Sequence, residues 1–566
     1  MMNKMMSKRE IAGILEEIAF LLELKGENPF KVKAYTNAAR VIEGLPEEPA
    51  VLVQKGLLGN VKGIGQTLAA TVTELVTAGV SALHQELKAS FPAGLLEMGE
   101  IPGLGPKKIK ALYESLGISS VGELEYACVE NRLVGLPGFG AKTQEKILAG
   151  IRQIKRRRGF HLYANGIEEA TLILEAVRGG SGVSRVDLAG PLRRRAEVIE
   201  GIALVVAGAQ PTAVVHALEA VPGVTQVEHR PEMSRITARS PQGLPVSLQL
   251  VASADYGWEL ILATGNAEHV EALRQRLTAR GARIGGESEE AVYAAAGFSY
   301  IPPELREGHG EIELAERESL PVLLEAGQIQ GIFHNHTIYS DGSATVEQMV
   351  AGARSLGYCY IGISDHSQSA FYANGLKEDR IRAQHAEIAA VQKKFSTIRI
   401  FKGIEADILV DGAMDYPDEV LATFDFVIAS VHSRFNLSEE DQTSRICRAL
   451  ANPYVTMLGH PTGRLLLSRD GYRVDMRKVI GTAAAHGKIV EINANPHRLD
   501  LDWRLCGYAK EKGVKVSINP DAHSTEGLSD VPFGVNVARK GGLEAADVVN
   551  TRPVEKMAAL LRSMRP

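Results

Sequence analysis

Residues 332–343 read IFHNHTIYSDGS: two histidines one residue apart, with an aspartate five positions further on. In extended backbone, residues i and i+2 project from one face, so His334 and His336 aim at a common point, with Asp341 close behind. Alone, this pair is an ordinary polar feature. It becomes chemistry only if further donors arrive at matching places. They do: His366, Glu405, His432, His460, Asp521 and His523 each stand at the end of a short apolar run. Imidazole with carboxylate and no thiolate suits Mn²⁺, Zn²⁺ or Fe²⁺ better than Mg²⁺ or Ca²⁺ alone. Nine donors exceed the needs of one ion and suffice for two or three; ions that cooperate within about 4 Å need a shared ligand. Glu405 is the candidate bridge.

The elements that must position these donors are legible in the same region. Apolar runs IFHNH, CYIGISDH, IRIFKGIEAD, FDFVIASVH, VTMLGH, KIVEINAN and VKVSINPDAH alternate with helical stretches such as TVEQMVAGARSLG and EDRIRAQHAEIAAVQKKF. Strands alternating with helices build parallel sheets, and seven such units predict a closed, distorted (β/α)7 TIM-like barrel. The polar residues fall at the carboxyl ends of the strands, where barrels of this kind place their chemistry.

The motifs H-x-H, S-D-H, G-I-E, S-V-H, G-H-P and D-A-H together resemble the PHP domain, the polymerase and histidinol phosphatase family. The resemblance implies a partition of ligands: a first metal on His334, His336, Glu405 and Asp521, a second on Glu405, His432 and His460, and a third on Asp341, His366 and His523. Arg434, Arg464 and Arg498 lie just past ligand strands, and a guanidinium fork matches phosphate oxygens, so each is a candidate substrate clamp. Asn493 and Asn495 are candidates for orienting the ligands.

The first third of the chain carries a repeat. NVKGIGQTLAATV at 60, IPGLGPKKIKALYESLG at 101 and LPGFGAKTQEKILAGI at 136 share an apolar–x–Gly–apolar–Gly turn opening a helix. Paired glycines (Gly63 and Gly65, Gly103 and Gly105, Gly138 and Gly140) let backbone N–H groups approach an anion at a helix N-terminus. Lys107, Lys108 and Lys142 follow directly. This pattern is a helix-hairpin-helix clamp for a nucleic-acid backbone. Upstream, GENPFKVKAYTNAAR adds Lys31 and Lys33, with Tyr35 and Arg40 on the same segment, and together with the clamp it resembles the amino-terminal small domain of family X DNA polymerases. The lysine that performs lyase chemistry in some members has no counterpart, since Thr67 and Thr71 occupy that helix.

Residues 159–317 continue that resemblance as palm and thumb, closing on YIPPELREGHGEIELA. Family X palms hold two metal ions on a D-x-D pair and a third carboxylate from a later strand. Those positions fall on Gly201, Ala203 and Ser247, so the polymerase site is expected to be lost. The basic runs KRRR at 155 and RRR at 193 are candidate DNA contacts. The expected organisation is a small helical domain (1–90), a helix-hairpin-helix domain (91–158), a degenerate palm (159–250), a thumb (251–317), a join (318–330) and the barrel (331–566).

Length and composition agree with a large, ordinary globular chain. It has 566 residues, 45% hydrophobic and 23% charged, with a net charge of −5, so any nucleic-acid binding must be local. Cys128, Cys359, Cys447 and Cys506 show no C-x-x-C spacing. The first residues read as an amphipathic helix and not a signal peptide, and no apolar run spans a bilayer, so a cytoplasmic location without membrane contact is expected. The resulting expectation is a bacterial-type family X scaffold that processes 3′ ends of gapped or nicked DNA in repair. It would act as a metal-dependent 3′-5′ exonuclease holding two or three ions, Mn²⁺ or Zn²⁺ or Fe²⁺. The alternatives are an active gap-filling polymerase, a DNA-binding scaffold without turnover and a small-molecule phosphatase of the histidinol phosphate kind.

Overall fold

The computed structural model describes residues 6, 8–43, 45, 47–208 and 210–566, apart from the side chains of 9, 153 and 155–158, so the KRRR run at 155 lies outside what is described. The chain forms two compact units, Met1–Ile154 and Lys155–Pro566.

The first unit is all helical. One core gathers Ile11, Leu15, Ile18 and Leu22 of the helix Lys8–Lys25 against Ile42, Val72 and Leu75. A second gathers Leu95, Ile109, Leu112, Leu124 and Ile151. The three glycine pairs share one backbone geometry. Gly63, Gly103 and Gly138 take φ of +99°, +82° and +85°, a region that penalises any Cβ. Gly65 and Gly105 then cap the helices Gln66–Ala78 and Pro106–Leu116 with extended backbone and no side-chain cap, and Gly140 immediately precedes the helix Ala141–Arg158. At Gln66–Ala78 the first-turn N–H groups are left for an external acceptor; at Pro106–Leu116 Pro106 has none and the Lys108 N–H donates to the Gly105 carbonyl at 3.0 Å, which leaves that of Lys107. Lys107 is exposed beside the second glycine pair and Lys142 beside the third. Tyr35 is buried and belongs to the first core; Lys31 and Lys33 face water.

In the second unit a five-stranded sheet runs in the order Arg185–Ala189, Ile202–Ala207, Pro245–Val251, Arg235–Arg239, Thr225–Arg230. Its two central strands are parallel, and Ala203 is the register partner of both Ala189 and Ser247. Helices Tyr256–Thr264, Ala267–Ala279 and Glu289–Ala296 follow, packed around Trp258, Leu273, Tyr293 and Ile301.

The remainder is a seven-stranded, wholly parallel sheet: Gly331–Ile332, Tyr360–Ile363, Arg399–Asp407, Phe426–Ser430, Met457–Leu458, Ile489–Asn493 and Val516–Asn519, paired in that order. Six fall inside one of the seven apolar runs, and the first, Gly331–Ile332, overlaps the start of IFHNH. A parallel bridge between Asn335 and Ala522, with the His336 N–H donating to the Ala522 carbonyl at 2.8 Å, ties the first strand to the last. The chain thus has a helical helix-hairpin-helix region, a mixed α/β middle and a nearly closed TIM-like barrel. Among the described residues, no helix is long and apolar enough to cross a membrane.

Candidate metal centre

The nine donors converge at the carboxyl ends of the barrel strands. The strands ending at Ile332, Ile363, Ser430, Leu458 and Asn519 stop two or three residues before a donor, and the chain must then turn outward while the side chain points in. His334, His460 and Asp521 make that turn with positive φ (+54°, +23° and +53°), which costs non-glycine residues energy that the surrounding packing must supply.

Glu405, fully buried near the end of Arg399–Asp407, is the hub. One of its oxygens lies 3.2 Å from His334 Nε2, 3.1 Å from His432 Nε2 and 2.9 Å from His460 Nε2. The other lies 2.9 Å from His366 Nδ1 and 3.6 Å from His336 Nε2. Asp521 stands 3.1 Å from His336 Nε2 and 3.3 Å from His334 Nε2. Asp341 stands 3.4 Å from His523 Nε2 and 3.6 Å from His366 Nε2. His336 and His523 stack with ring centroids 4.2 Å apart. Donor atoms close enough to share an ion fall into four overlapping groups: His336, Asp341, His366 and His523; His334, Glu405 and His460; His334, His336 and Asp521; His366, Glu405 and His432. These groups differ from the partition that the motifs implied, since His336 also joins the Asp341 group and His366 also joins Glu405 and His432.

Divalent cations fit this donor set. Both oxygens of Asp341, Glu405 Oε2 and His334 Nε2 are buried without a hydrogen-bond partner, a costly arrangement unless a cation receives their lone pairs. Burial alone would raise the carboxyls of Glu405, Asp341 and Asp521. The charges of His432 and His334 on Glu405, of His366 on Asp341 and of His334 on Asp521 hold all three well below the ordinary range. The imidazoles split. Burial pushes His336 down to about 3 and His460 down to about 4, so both stay neutral and ready to donate a lone pair. Burial would also lower His432, but Glu405 and Asp407 override it and raise the group from 6.5 to about 9.

This split has a pH consequence. A group raised on folding stabilises the fold below its unfolded pKa and loses that contribution as pH rises through the folded one. Above pH 6.5 the depressed His336 and His460 add no slope, so His432 and the likewise raised His334 and His366 decide it. Protein stripped of metal by a chelator is therefore expected to lose stability from pH 6.5 to about 9, read as a falling urea midpoint. With saturating Mn²⁺ the fall should vanish, because ions displace the same protons more easily as pH rises.

Two carboxylates that sequence reasoning did not single out hold the ligands in place. Glu491 accepts from His334 Nδ1 at 2.7 Å, from the His460 backbone N–H at 2.7 Å, and from Asn519 and Asn493 side chains at 2.9 and 3.3 Å. Asp407 accepts from His432 Nδ1 at 2.7 Å. The signal for Glu491 was available: a lone charge inside the doubly buried run IVEIN must be paired. Asn493 also donates to Asp521 Oδ2 at 2.9 Å, an orienting contact of the expected kind, while Asn495 accepts from the His497 N–H at 3.0 Å.

The arginines divide. Arg434, at φ +58°, is exposed and forms no ion pair among the described residues. Arg498 is buried with Nε 3.5 Å from Asp521. Arg464 turns away to pair with Asp502 and with Glu197 of the α/β middle, each at 2.5 Å, and to donate to the Arg498 and Leu499 carbonyls. The RRR run at 193 is likewise consumed: Arg193 pairs with Glu289, Arg194 with Glu307 and Arg195 with Glu304. An expected DNA contact there is replaced by internal ion pairs, because these side chains face the acids of the segment 289–307.

In the mixed α/β middle, the strands Ile202–Ala207 and Pro245–Val251 carry no carboxylate. A Cβ on Gly201 would meet the Pro245 carbonyl oxygen at 2.5 Å, so this backbone has no room for a side chain there. Nearby acids are engaged elsewhere, Glu197 with Arg464, Asp187 with the Tyr256 hydroxyl and Asp255 with Arg283, and Glu200 points to solvent.

A parallel barrel with this cluster at its mouth, in one chain with tandem helix-hairpin-helix turns, defines a PHP-barrel protein with a nucleic-acid-binding front. Family models agree: a helix-hairpin-helix domain matches residues 6–81, a SAM-like helix-hairpin-helix tandem 95–153 and a PHP domain 333–495. The chain belongs to the PolX family, being 36% identical over 98% of its length to the whole of the DNA polymerase/3′-5′ exonuclease PolX of Bacillus subtilis. Probable phosphatases of Caldanaerobacter subterraneus and Vibrio parahaemolyticus are 29% and 26% identical over 41% of the chain, covering 91% and 94% of those proteins.

Proposed function

We propose that this chain is a metal-dependent phosphodiesterase that removes nucleotides from DNA 3′ ends, on a family X scaffold that no longer synthesises DNA. The observation that carries the reading is Glu405, whose two oxygens lie 2.9 to 3.6 Å from five imidazoles brought by four strand ends. A buried carboxylate so surrounded is suited to being shared between ions. His334, His336, Asp341, His366, Glu405, His432, His460, Asp521 and His523 are the ligands in this reading, for two or three Mn²⁺ or Zn²⁺ ions. When bound, such ions acidify water to a nucleophile and stabilise charge on phosphoryl oxygen. The chain's own residues do the rest. Glu491 and Asp407 keep protons on His334 Nδ1 and His432 Nδ1, which leaves both Nε2 lone pairs directed at Glu405's side of the site. Arg434 offers an exposed fork to the substrate phosphate. The three glycine turns, with Lys107, Lys108 and Lys142, grip DNA through its backbone without reading its sequence.

The polymerase half is silent in this reading because Gly201, Ala203 and Ser247 provide nothing to hold ions. The B. subtilis relative's name includes polymerase, so the test is direct. Primer extension on gapped DNA with all four nucleotides is expected to give no product with Mg²⁺ or Mn²⁺, while Mn²⁺ shortens the same primer from its 3′ end. Templated extension would overturn the second half of the proposal, the loss of synthesis. The phosphatase relatives, which match 41% of the chain, favour a second reading in which the substrate is a small phosphomonoester. A kcat/KM higher for histidinol phosphate than for a single-stranded oligonucleotide would install that reading instead.

A further inference from the structure

The loops after successive barrel strands carry apolar side chains that the fold leaves in water. Phe371 is 82% exposed, Val410 55% and Ile338 52%. Phe371 does not sit on a loose tip. Its neighbours Ala370 and Ala373 are fully buried, Gly375 and Ala373 donate to the Ala370 carbonyl, and Ser369 is bound to Asp415. Leu376 returns to donate to the His366 carbonyl, so the turn opens and closes on a candidate metal ligand. Tyr372 packs edge-on against Phe371 with centroids 6.1 Å apart and lies 6.4 Å from the His366 ring. Asn374 reaches the carbonyl of Tyr339, next to Ile338, and the Arg445 guanidinium joins the Leu409 carbonyl, next to Val410, to that of Ser433, next to Arg434. Exposed apolar side chains thus stand on three successive loops that backbone contacts anchor, and the exposed Arg434 lies two residues past the candidate ligand His432.

We propose that these side chains form a stacking platform for the bases of a single-stranded 3′ end, with Phe371 under the base next to the scissile phosphate and Arg434 on the backbone. A phenyl ring held in water on an anchored turn beside the site offers a flat apolar face, and a nucleobase stacked on it is the partner whose phosphate would reach the histidines behind Tyr372. A small phosphomonoester such as histidinol phosphate would leave the platform bare. The inference rests on the phosphodiesterase reading and adds its specificity: the site selects unpaired nucleotides and not phosphate alone.

The experiment compares the full-length protein with Phe371→Ala and Phe371→Trp on two Mn²⁺-dependent substrates, an ordinary single-stranded oligonucleotide and one whose last two nucleotides lack bases. The wild type is expected to favour the base-bearing strand about tenfold in kcat/KM, through KM, as suits the loss of one stacked base. Phe371→Ala should bring that ratio near one, and Phe371→Trp should restore it. A second readout needs no turnover: in EDTA, a 3′-terminal 2-aminopurine should be quenched by wild type and by Phe371→Trp, and not by Phe371→Ala. An unchanged ratio with unchanged quenching overturns the platform. Absence of cleavage of both strands by the wild type overturns the phosphodiesterase reading instead, and the quenching still decides whether bases stack on Phe371.

Discussion

Glu405→Gln is expected to lower manganese-dependent release of 3′ nucleotides by at least about a thousandfold while the barrel stays folded. The amide matches the carboxylate in volume, so packing in the fully buried pocket is retained. What changes is charge. Five imidazoles now face a neutral group that places an N–H₂ donor where a lone pair stood. Losing even a residue that merely orients a ligand costs 10- to 100-fold, and a carboxylate shared between ions should cost about a decade more. Bound manganese, counted by elemental analysis after gel filtration, should fall by at least one ion per chain. Full manganese content with undiminished exonuclease would remove Glu405 from the site.

The second large effect is on stability. Glu491→Ala strips a carboxylate that accepts four hydrogen bonds, leaving His334 Nδ1, the His460 N–H and two asparagine amides facing a cavity. Removing one partner of a buried, hydrogen-bonded charge costs about 3–5 kcal/mol, and the orphaned donors account for most of it. Glu491→Gln keeps one acceptor oxygen and should cost less than half as much. Even so, it should reduce exonuclease rate about 10- to 100-fold, because the His334 tautomer is no longer enforced. Urea unfolding of the two variants beside wild type reads the first effect, and the rate under saturating Mn²⁺ reads the second. Equal stability of Glu491→Ala and wild type would mean that Glu491 is dispensable to the strand ends it joins.

By itself, the sequence determined the barrel and the donors. Strand periodicity places His334 and His336 on one face, and a doubly wrapped parallel sheet requires continuous apolar runs, so a polar residue at the end of each run declares itself as belonging to the mouth. The glycine pairs were equally legible, since a positive φ excludes most other residues at Gly63, Gly103 and Gly138. Which charges meet was decided only by the tertiary structure. Arg464 sits beside a ligand strand in sequence yet pairs with Glu197, 267 positions away, and the arginines at 193–195 are spent on Glu289, Glu307 and Glu304. Nor could spacing say that His336 and His366 each serve two donor groups, or that Phe371 stands bare on an anchored turn. Local pattern sets which way a side chain points along its own element. Its partner is set by where other elements come to rest, and Coulomb energy between buried groups depends on separations of a few ångströms that no linear spacing encodes.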